Sequence, residues 1–176
     1  MRRMTPRQLT FAAVLAAVYA ALTMFLPIPQ YGQIQVRVAE ALCVLPFFYP
    51  AATPGLFIGC VIANLFSPFA LDVVFGSAAT LLACLWTGRL RSRWLAPLPP
   101  VVCNMVIVGA ELAFFEGGIG PGFFSAFAFN ALTVGGGELL ACGLFGSALL
   151  SGLYRTPACR ERIDPQRLAQ VRGFDE

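Results

Sequence analysis

The sequence predicts an all-α integral membrane protein, a compact bundle of six transmembrane helices with its N- and C-termini in the cytoplasm. Three observations carry this. Hydrophobic residues make up 58% of the chain and mean hydropathy is +0.75, more apolar surface than 176 residues can hide in a soluble core. Charged residues fall to 12%, against about 25% in soluble domains. Arginines cluster at three places separated by long apolar stretches, as the positive-inside rule requires.

The elements follow from length. A helix crossing a hydrocarbon layer of about 30 Å at about 1.5 Å per residue needs about 20 apolar residues. The first runs from Leu9 to Leu26, is ended by Pro27 and Pro29, and follows Arg2, Arg3 and Arg7 with no small-residue cleavage site. It reads as a retained span rather than a signal peptide. The next uncharged run, Ala41–Leu71, is too long for one span and short for two. Pro50 and Pro54-Gly55 divide it into short helices near 40–52 and 55–67, with a re-entrant hairpin as the alternative. A fourth helix covers Asp72 to Gly88 and a fifth about Pro99 to Phe115. After the glycine-rich loop 116–122, a last stretch runs from Phe123 to Tyr154, with a kink or unwound turn expected at Gly135-Gly136-Gly137. Residues 1–155 thus form the membrane domain and 156–176 a polar cytoplasmic tail.

Parity tests this count. The clusters are Arg2–Arg7, Arg89–Arg93 and Arg155–Arg172, and all three lie inside only if four helices precede residue 89 and two follow it.

The ionisable inventory excludes whole function classes. There is no histidine, which removes imidazole metal ligation and argues against a nickel or cobalt carrier. There is no lysine, which removes Schiff-base chemistry and any Walker-type phosphate loop. An ATP-driven process would need partner subunits to use the ATP, and this chain needs no cofactor or metal of its own. The six cysteines form no C-x-x-C pair and read as small apolar fillers.

Six charges stand outside the arginine clusters and the tail. Arg37, Glu40, Asp72, Glu111 and Glu116 fall at or near outer helix ends, and Glu138 lies deep in the last helix. A charged side chain in the bilayer costs about 2.5–3.5 kcal/mol on insertion scales, so these residues should face a cavity or a partner. Local readings compete: Arg37 and Glu40 could pair across one turn, Asp72 could cap helix four, and Glu116 could be solvated in its loop. Glu111 and Glu138 have no basic residue within a helical turn and look like ligand or ion contacts. Asn64, Asn104 and Asn130 are membrane amides suited to ligand contacts or interhelical bonds, and Gln33 and Gln35 precede Arg37 in the outer loop. On the first helix Ala12, Ala13, Ala16, Ala17, Ala20 and Ala21 form a small-residue stripe along which another helix can approach, internal or from a separate subunit.

Taken in order, several segments resemble one known family. They are Gly32-Gln-Ile-Gln-Val-Arg-Val-Ala-Glu-Ala-Leu42 with Leu45-Pro46, Pro54-Gly-Leu-Phe-Ile-Gly59 with Ala63-Asn64, and Asp72-Val-Val-Phe-Gly-Ser77. Pro99-Pro100, Asn104, Val108-Gly109, Glu111-Leu112 and Gly135-Gly-Gly-Glu138 continue the series. Over about residues 9–150 the chain resembles QueT, the substrate-binding S component of energy-coupling factor transporters for queuosine precursors. It departs from the family pattern at Val36 and Ala39, in the glycine-rich loop 116–122 and in its longer tail.

The resemblance implies a six-helix S component of the cell membrane. It would bind a 7-deazaguanine at the outer face, then dock on a transmembrane coupling subunit carrying two ATPases. No nucleic-acid partner is implied. Ala13, Ala16, Ala17 and Ala20 become the docking stripe. A deazaguanine presents an N–H and an amino group side by side, which a carboxylate accepts in bidentate geometry. An aminomethyl arm, where present, adds a cation and favours a second carboxylate. Glu40, Glu111 and Glu138 are the candidates, with Asp72 behind them. Asn64, Asn104 or Arg37 would serve the ring carbonyl, Tyr31 would stack on the ring, and Gln35 would line the site. The alternatives are an S component for another vitamin and a small proton-coupled carrier with Glu111 and Glu138 as proton sites.

Overall fold

The structure, a computed structural model, describes residues 4–161, 163, 165 and 168. Arg2, Arg3, Arg162, Arg167 and Arg172 of the arginine clusters, with most of the tail, lie outside them. The described residues are helical, with no strand among them.

Helix α1, Pro6–Phe25, opens on a capping box. Thr5 Oγ1 accepts from the Gln8 amide, the Gln8 side chain accepts from the Thr5 amide, and Pro6 takes the first helical position. Helix α2, Val38–Phe47, has 3₁₀ pitch and carries Pro46. Helix α3 is Ala52–Asn64, and α4, Phe75–Thr87, follows a 3₁₀ turn at Ala70–Val73. Helix α5 is Leu98–Gly117. Helix α6 runs Phe123–Arg155, and a short α7, Pro157–Arg160, closes the described chain.

Contacts define two ends of the bundle. At one, Tyr49 donates to the Cys159 carbonyl at 2.9 Å, Phe11 packs edge-on against Tyr49, and Thr87 donates to the Ala96 carbonyl. At the other, Tyr31 donates to the Ala63 carbonyl, Phe69 meets Phe115, and Gln33 reaches Glu116. Successive helices run from one end to the other and back. Arg89, Arg91, Arg93, Arg155 and Arg160 belong to the Tyr49 end, and the membrane carboxylates lie toward the other.

Four segments among the described residues are long and apolar enough to cross a membrane: Pro6–Phe25, Ala70–Thr87, Arg93–Gly117 and Phe123–Arg155. Helices α2 and α3 are shorter, at 10 and 13 residues. Their break falls at residues 48–51 around Pro50, and Pro54 stands inside the first turn of α3, where a proline's missing N–H costs nothing. The expected division at Pro54-Gly55 is therefore corrected.

Gly55 and Gly59 serve packing instead. A Cβ on Gly59 would stand 2.7 Å from the Ala16 carbonyl oxygen and 2.9 Å from Tyr19 Cβ, and one on Gly55 would collide with the Ala12 backbone. Ala12, Ala16 and Ala20 are buried on this inner side, while Ala13, Ala17 and Ala21 are exposed. The alanine stripe is thus divided, with one edge spent on α3 and the other turned outward.

A second correction concerns the glycine run. Gly135-Gly136-Gly137 stays in regular helix, and the departure comes just after it, as a π-helical stretch from Leu139 to Gly146. Gly137 is needed for closeness, because a Cβ there would collide with the Gln35 carbonyl oxygen. The polarity of the bundle is inverted relative to an aqueous protein. Phe25, Phe124, Leu132 and Leu144 face outward, while Glu40, Asn64, Asn104, Asn130 and Glu138 are buried.

Candidate functional site

The segment between α1 and α2, residues 26–37, folds back over the bundle end. Gly32 turns it with φ of 100°, and the Val36 amide closes it on the Pro29 carbonyl at 2.9 Å. Tyr31 donates to the Ala63 carbonyl at 2.7 Å, and burial pushes its phenol up, so it stays a neutral donor. Gln33 Nε2 donates to Glu116 Oε1 at 2.7 Å, and Asn130 Nδ2 donates to the same oxygen at 2.7 Å. Glu116, in the last turn of α5, therefore joins the loop to α6 and is not simply solvated.

Arg37 ends this segment and points inward, 2% exposed. Its guanidinium donates to Asn64 Oδ1 and lies 5.1 Å from the Tyr31 ring centroid. The guanidinium thus reaches to α3, rather than to Glu40 one turn away, the competing local reading. Asn64 is a hub, because its Nδ2 also donates to the Asp72 carbonyl at 2.8 Å and to Ser77 Oγ at 3.2 Å. Asp72 makes no helix cap; its carboxylate accepts from Ser67. Gly76 leaves room for this junction. A Cβ there would stand 3.0 Å from Asn64 Nδ2, 3.3 Å from Asp72 Oδ1 and 3.8 Å from Arg37 Nη1.

Deeper lies the second half of the cluster. Glu40 is fully buried and its Oε1 accepts from Tyr19 and from Thr80, the latter at 3.0 Å. Glu138 Oε1 accepts from Asn104 Nδ2 at 3.1 Å, and Oε2 from the Cys142 thiol at 3.5 Å. Cys142 also lies 3.2 Å from the Glu40 carbonyl oxygen, tying α6 to α2. Gln35 is buried beside Gly137. Glu111 is 5% exposed.

Several buried polar atoms have no hydrogen-bond partner. They are both oxygens of Glu111, Glu40 Oε2, Asn104 Oδ1, Asn130 Oδ1, Arg37 Nε and both amide atoms of Gln30. A cavity of about 480 Å³ opens at the loop end of the bundle, lined by Gln33, Ile34, Phe69, Leu112, Phe115 and Glu116. Its size falls within the usual range for small-molecule sites, about 300–1,000 Å³.

The structure brings Arg37, Glu40, Asn64, Asp72, Asn104, Glu111 and Glu138 into one interior, with Tyr31 and Gln35 in the segment above it. Ala16 is buried against α3 and Ala20 is also buried, which leaves Ala13 and Ala17 on the exposed edge. Sequence reasoning missed Tyr19, Thr80 and Gln30. Tyr19 carries a readable signal, a hydroxyl set among the alanines of α1, but Thr80 carries none. The cysteines are free, as expected, with Cys43, Cys60, Cys84 and Cys142 buried. No group of side chains able to hold a metal ion occurs among the described residues.

A helical bundle that turns apolar side chains outward and buries carboxylates, amides and a guanidinium within is a multi-pass membrane protein. The chain belongs to the QueT transporter family, whose model matches residues 9–155, and the family is one of transporters rather than enzymes. It is similar to the queuosine precursor transporter QueT of Lactococcus lactis subsp. cremoris (strain MG1363), at 36% identity over 83 residues. That match covers 46% of this chain and 49% of the relative, so the chain matches about half the relative's length. No solved structure matches the chain.

Proposed function

We propose that the protein is the substrate-binding S component of an energy-coupling factor importer, capturing a 7-deazaguanine queuosine precursor at the outer face of the cell membrane. One observation carries the substrate class: the unpartnered buried atoms are mostly acceptors. Six oxygens on Gln30, Glu40, Asn104, Glu111 and Asn130 lack donors, against Arg37 Nε and Gln30 Nε2 on the donor side. A guanine-type ring answers that inventory, with several N–H donors and one carbonyl. Glu40 and Asn104 take ring N–H groups, Glu138 orients Asn104, and Arg37 serves the ring carbonyl. A base with the wrong donor pattern leaves buried oxygens unpaired, which costs about 1–3 kcal/mol for each group. Selectivity follows from that cost.

The remaining parts fit the role. Six crossings with both termini inside put every arginine cluster in the cytoplasm and the residue 26–37 segment outside. Residues 1–155 form the binding domain and 156–176 the cytoplasmic tail. With no lysine for a phosphate loop, ATP is used by partner subunits, and this chain carries no cofactor. The exposed edge of α1, with Ala13 and Ala17, is the face a coupling subunit can approach closely.

Calorimetry on the purified chain in detergent, with aminomethyl-deazaguanine, guanine and an unrelated vitamin as titrants, tests the substrate. Tight, saturable binding of the deazaguanine alone is expected. Binding of the vitamin instead, or of none of the three by folded protein, would overturn the assignment. Uptake in cells with and without a coupling module tests the assembly, and uptake without any module would favour a self-contained carrier.

A further inference from the structure

Glu40 is held at every polar atom but one. Its amide donates to the Arg37 carbonyl at 2.9 Å, and its own carbonyl oxygen lies 3.2 Å from the Cys142 thiol of α6. Oε1 accepts twice, from the Tyr19 hydroxyl of α1 and from the Thr80 hydroxyl of α4, the latter at 3.0 Å. Oε2 is buried without a partner. The direction of these bonds is fixed, because an ionised carboxylate only accepts. Thr80 spends its one hydrogen on Glu40, so at the 3.3 Å contact between Thr80 Oγ1 and Cys60 Sγ the thiol is the donor. Cys60 in turn lies 3.3 Å from Asn64 Nδ2, and Asn64 Oδ1 accepts from Arg37. Glu40 and Arg37 are thus joined through Thr80, Cys60 and Asn64 rather than to each other. Arg37 Nε is also buried without a partner. A direct fork between guanidinium and carboxylate would satisfy both orphaned atoms at once. Instead two opposite charges three residues apart in sequence are kept from pairing, and each retains one unused atom.

We propose that Tyr19 and Thr80 are positioning residues: their hydroxyls hold Glu40 away from Arg37, so that Glu40 Oε2 and Arg37 Nε stay open as an acceptor and a donor for the bound solute. This rests on the reading above that Glu40 and Arg37 face the solute. Without the two hydroxyls the carboxylate is free to turn onto the guanidinium, and a solute then has to break an ion pair to enter. The site is closed by its own charges while the fold stands. The openness of the site therefore depends on α1 and α4, helices that supply no charge to it. Tyr19 is fully buried and set by the close approach of α1 to α3, where a Cβ on Gly59 would stand 2.9 Å from Tyr19 Cβ.

The test is calorimetry with aminomethyl-7-deazaguanine on the full chain in detergent, for the parent, Tyr19→Phe, Thr80→Val and Thr80→Ser. Thermal unfolding of each ligand-free protein runs beside it. Tyr19→Phe and Thr80→Val keep the shape of the side chain and remove its hydroxyl. Each should weaken binding by about tenfold, the scale of one hydrogen bond to a charged group. Thr80→Ser keeps the hydroxyl and should bind as the parent does. A merely structural role would lower the thermal midpoint and leave the affinity of the folded protein unchanged. Parent-like affinity in Tyr19→Phe and Thr80→Val would therefore overturn the positioning while leaving the deazaguanine reading intact. So would a loss in Thr80→Ser equal to that in Thr80→Val. If one of the two hydroxyl-free variants fails to fold, the other decides. Failure of the folded parent to bind would overturn the deazaguanine reading itself, and the positioning with it.

Discussion

Asn64→Leu isolates the hub of the cluster. Asn64 accepts from the buried Arg37 guanidinium and donates to the Asp72 carbonyl and Ser77, with Cys60 Sγ 3.3 Å away. Each neutral hydrogen bond contributes about 0.5–1.5 kcal/mol net, and the bond to a charged group about 1.5–3 kcal/mol. Leucine removes all of these and leaves a buried guanidinium without its acceptor, a situation that costs about 3–5 kcal/mol where it has been measured. For a chain of this size each kcal/mol moves the midpoint by about 2–4 °C, so the loss corresponds to roughly 10 °C. Thermal unfolding of the ligand-free protein in one detergent measures it. A double-mutant cycle with Arg37→Met sharpens the result, because removing both partners leaves no orphaned charge at that contact. Arg37→Met should therefore cost far less in the Asn64→Leu background than in the parent. A midpoint within about 2 °C of the parent for Asn64→Leu, under 1 kcal/mol on the same scale, would refute the hub. Strict additivity in the cycle would show that Arg37 does not depend on Asn64.

Other substitutions test other joints. Gly59→Val should separate α1 from α3 and destabilise by about 1–3 kcal/mol in thermal unfolding, because its Cβ meets the Ala16 backbone rather than a movable side-chain end. An unchanged midpoint would refute the close approach. Gly137→Ala should lift the Gln35 backbone and raise the rate of proteolytic nicking between residues 26 and 37, while nicking in the 116–122 loop stays unchanged. Glu138→Gln should weaken deazaguanine binding more than Glu116→Gln, since Glu138 is buried on Asn104 and Glu116 is exposed beside the loop. Equal affinities for both variants and the parent would remove Glu138 from the pocket. Modification of the folded protein by a polar maleimide should spare Cys43, Cys60, Cys84 and Cys142, and early labelling of any of them would contradict their burial.

The sequence revealed which residues matter more readily than how they meet. Bilayer thickness fixes helix length, so α1, α5 and α6 were legible to within a few residues. Proline alone misplaced the break between α2 and α3, because Pro54 is tolerated in a first helical turn and the sequence does not say which turn it occupies. The glycine run carried a similar ambiguity. Glycine loosens a helix and also permits contact, and here Gly137 is used for contact with Gln35.

Charges in apolar stretches are costly enough to declare themselves, which is why Arg37, Glu40, Asp72, Glu111 and Glu138 could be selected before any fold was known. Their partners could not be. Arg37 passes over Glu40, three residues away, to reach Asn64 on α3, while Glu40 turns to Tyr19 on α1 and Thr80 on α4. Near neighbours in sequence lose to distant ones because the packing of α1 on α3 decides which side chains share an interior. That packing depends on Ala12 and Ala16 lying against Gly55 and Gly59, residues with no polar chemistry of their own. The same contact that brings the helices together also sets Tyr19 against Glu40. Substitution at Gly59 should therefore disturb the polar site as well as stability, although the glycine touches no charged group.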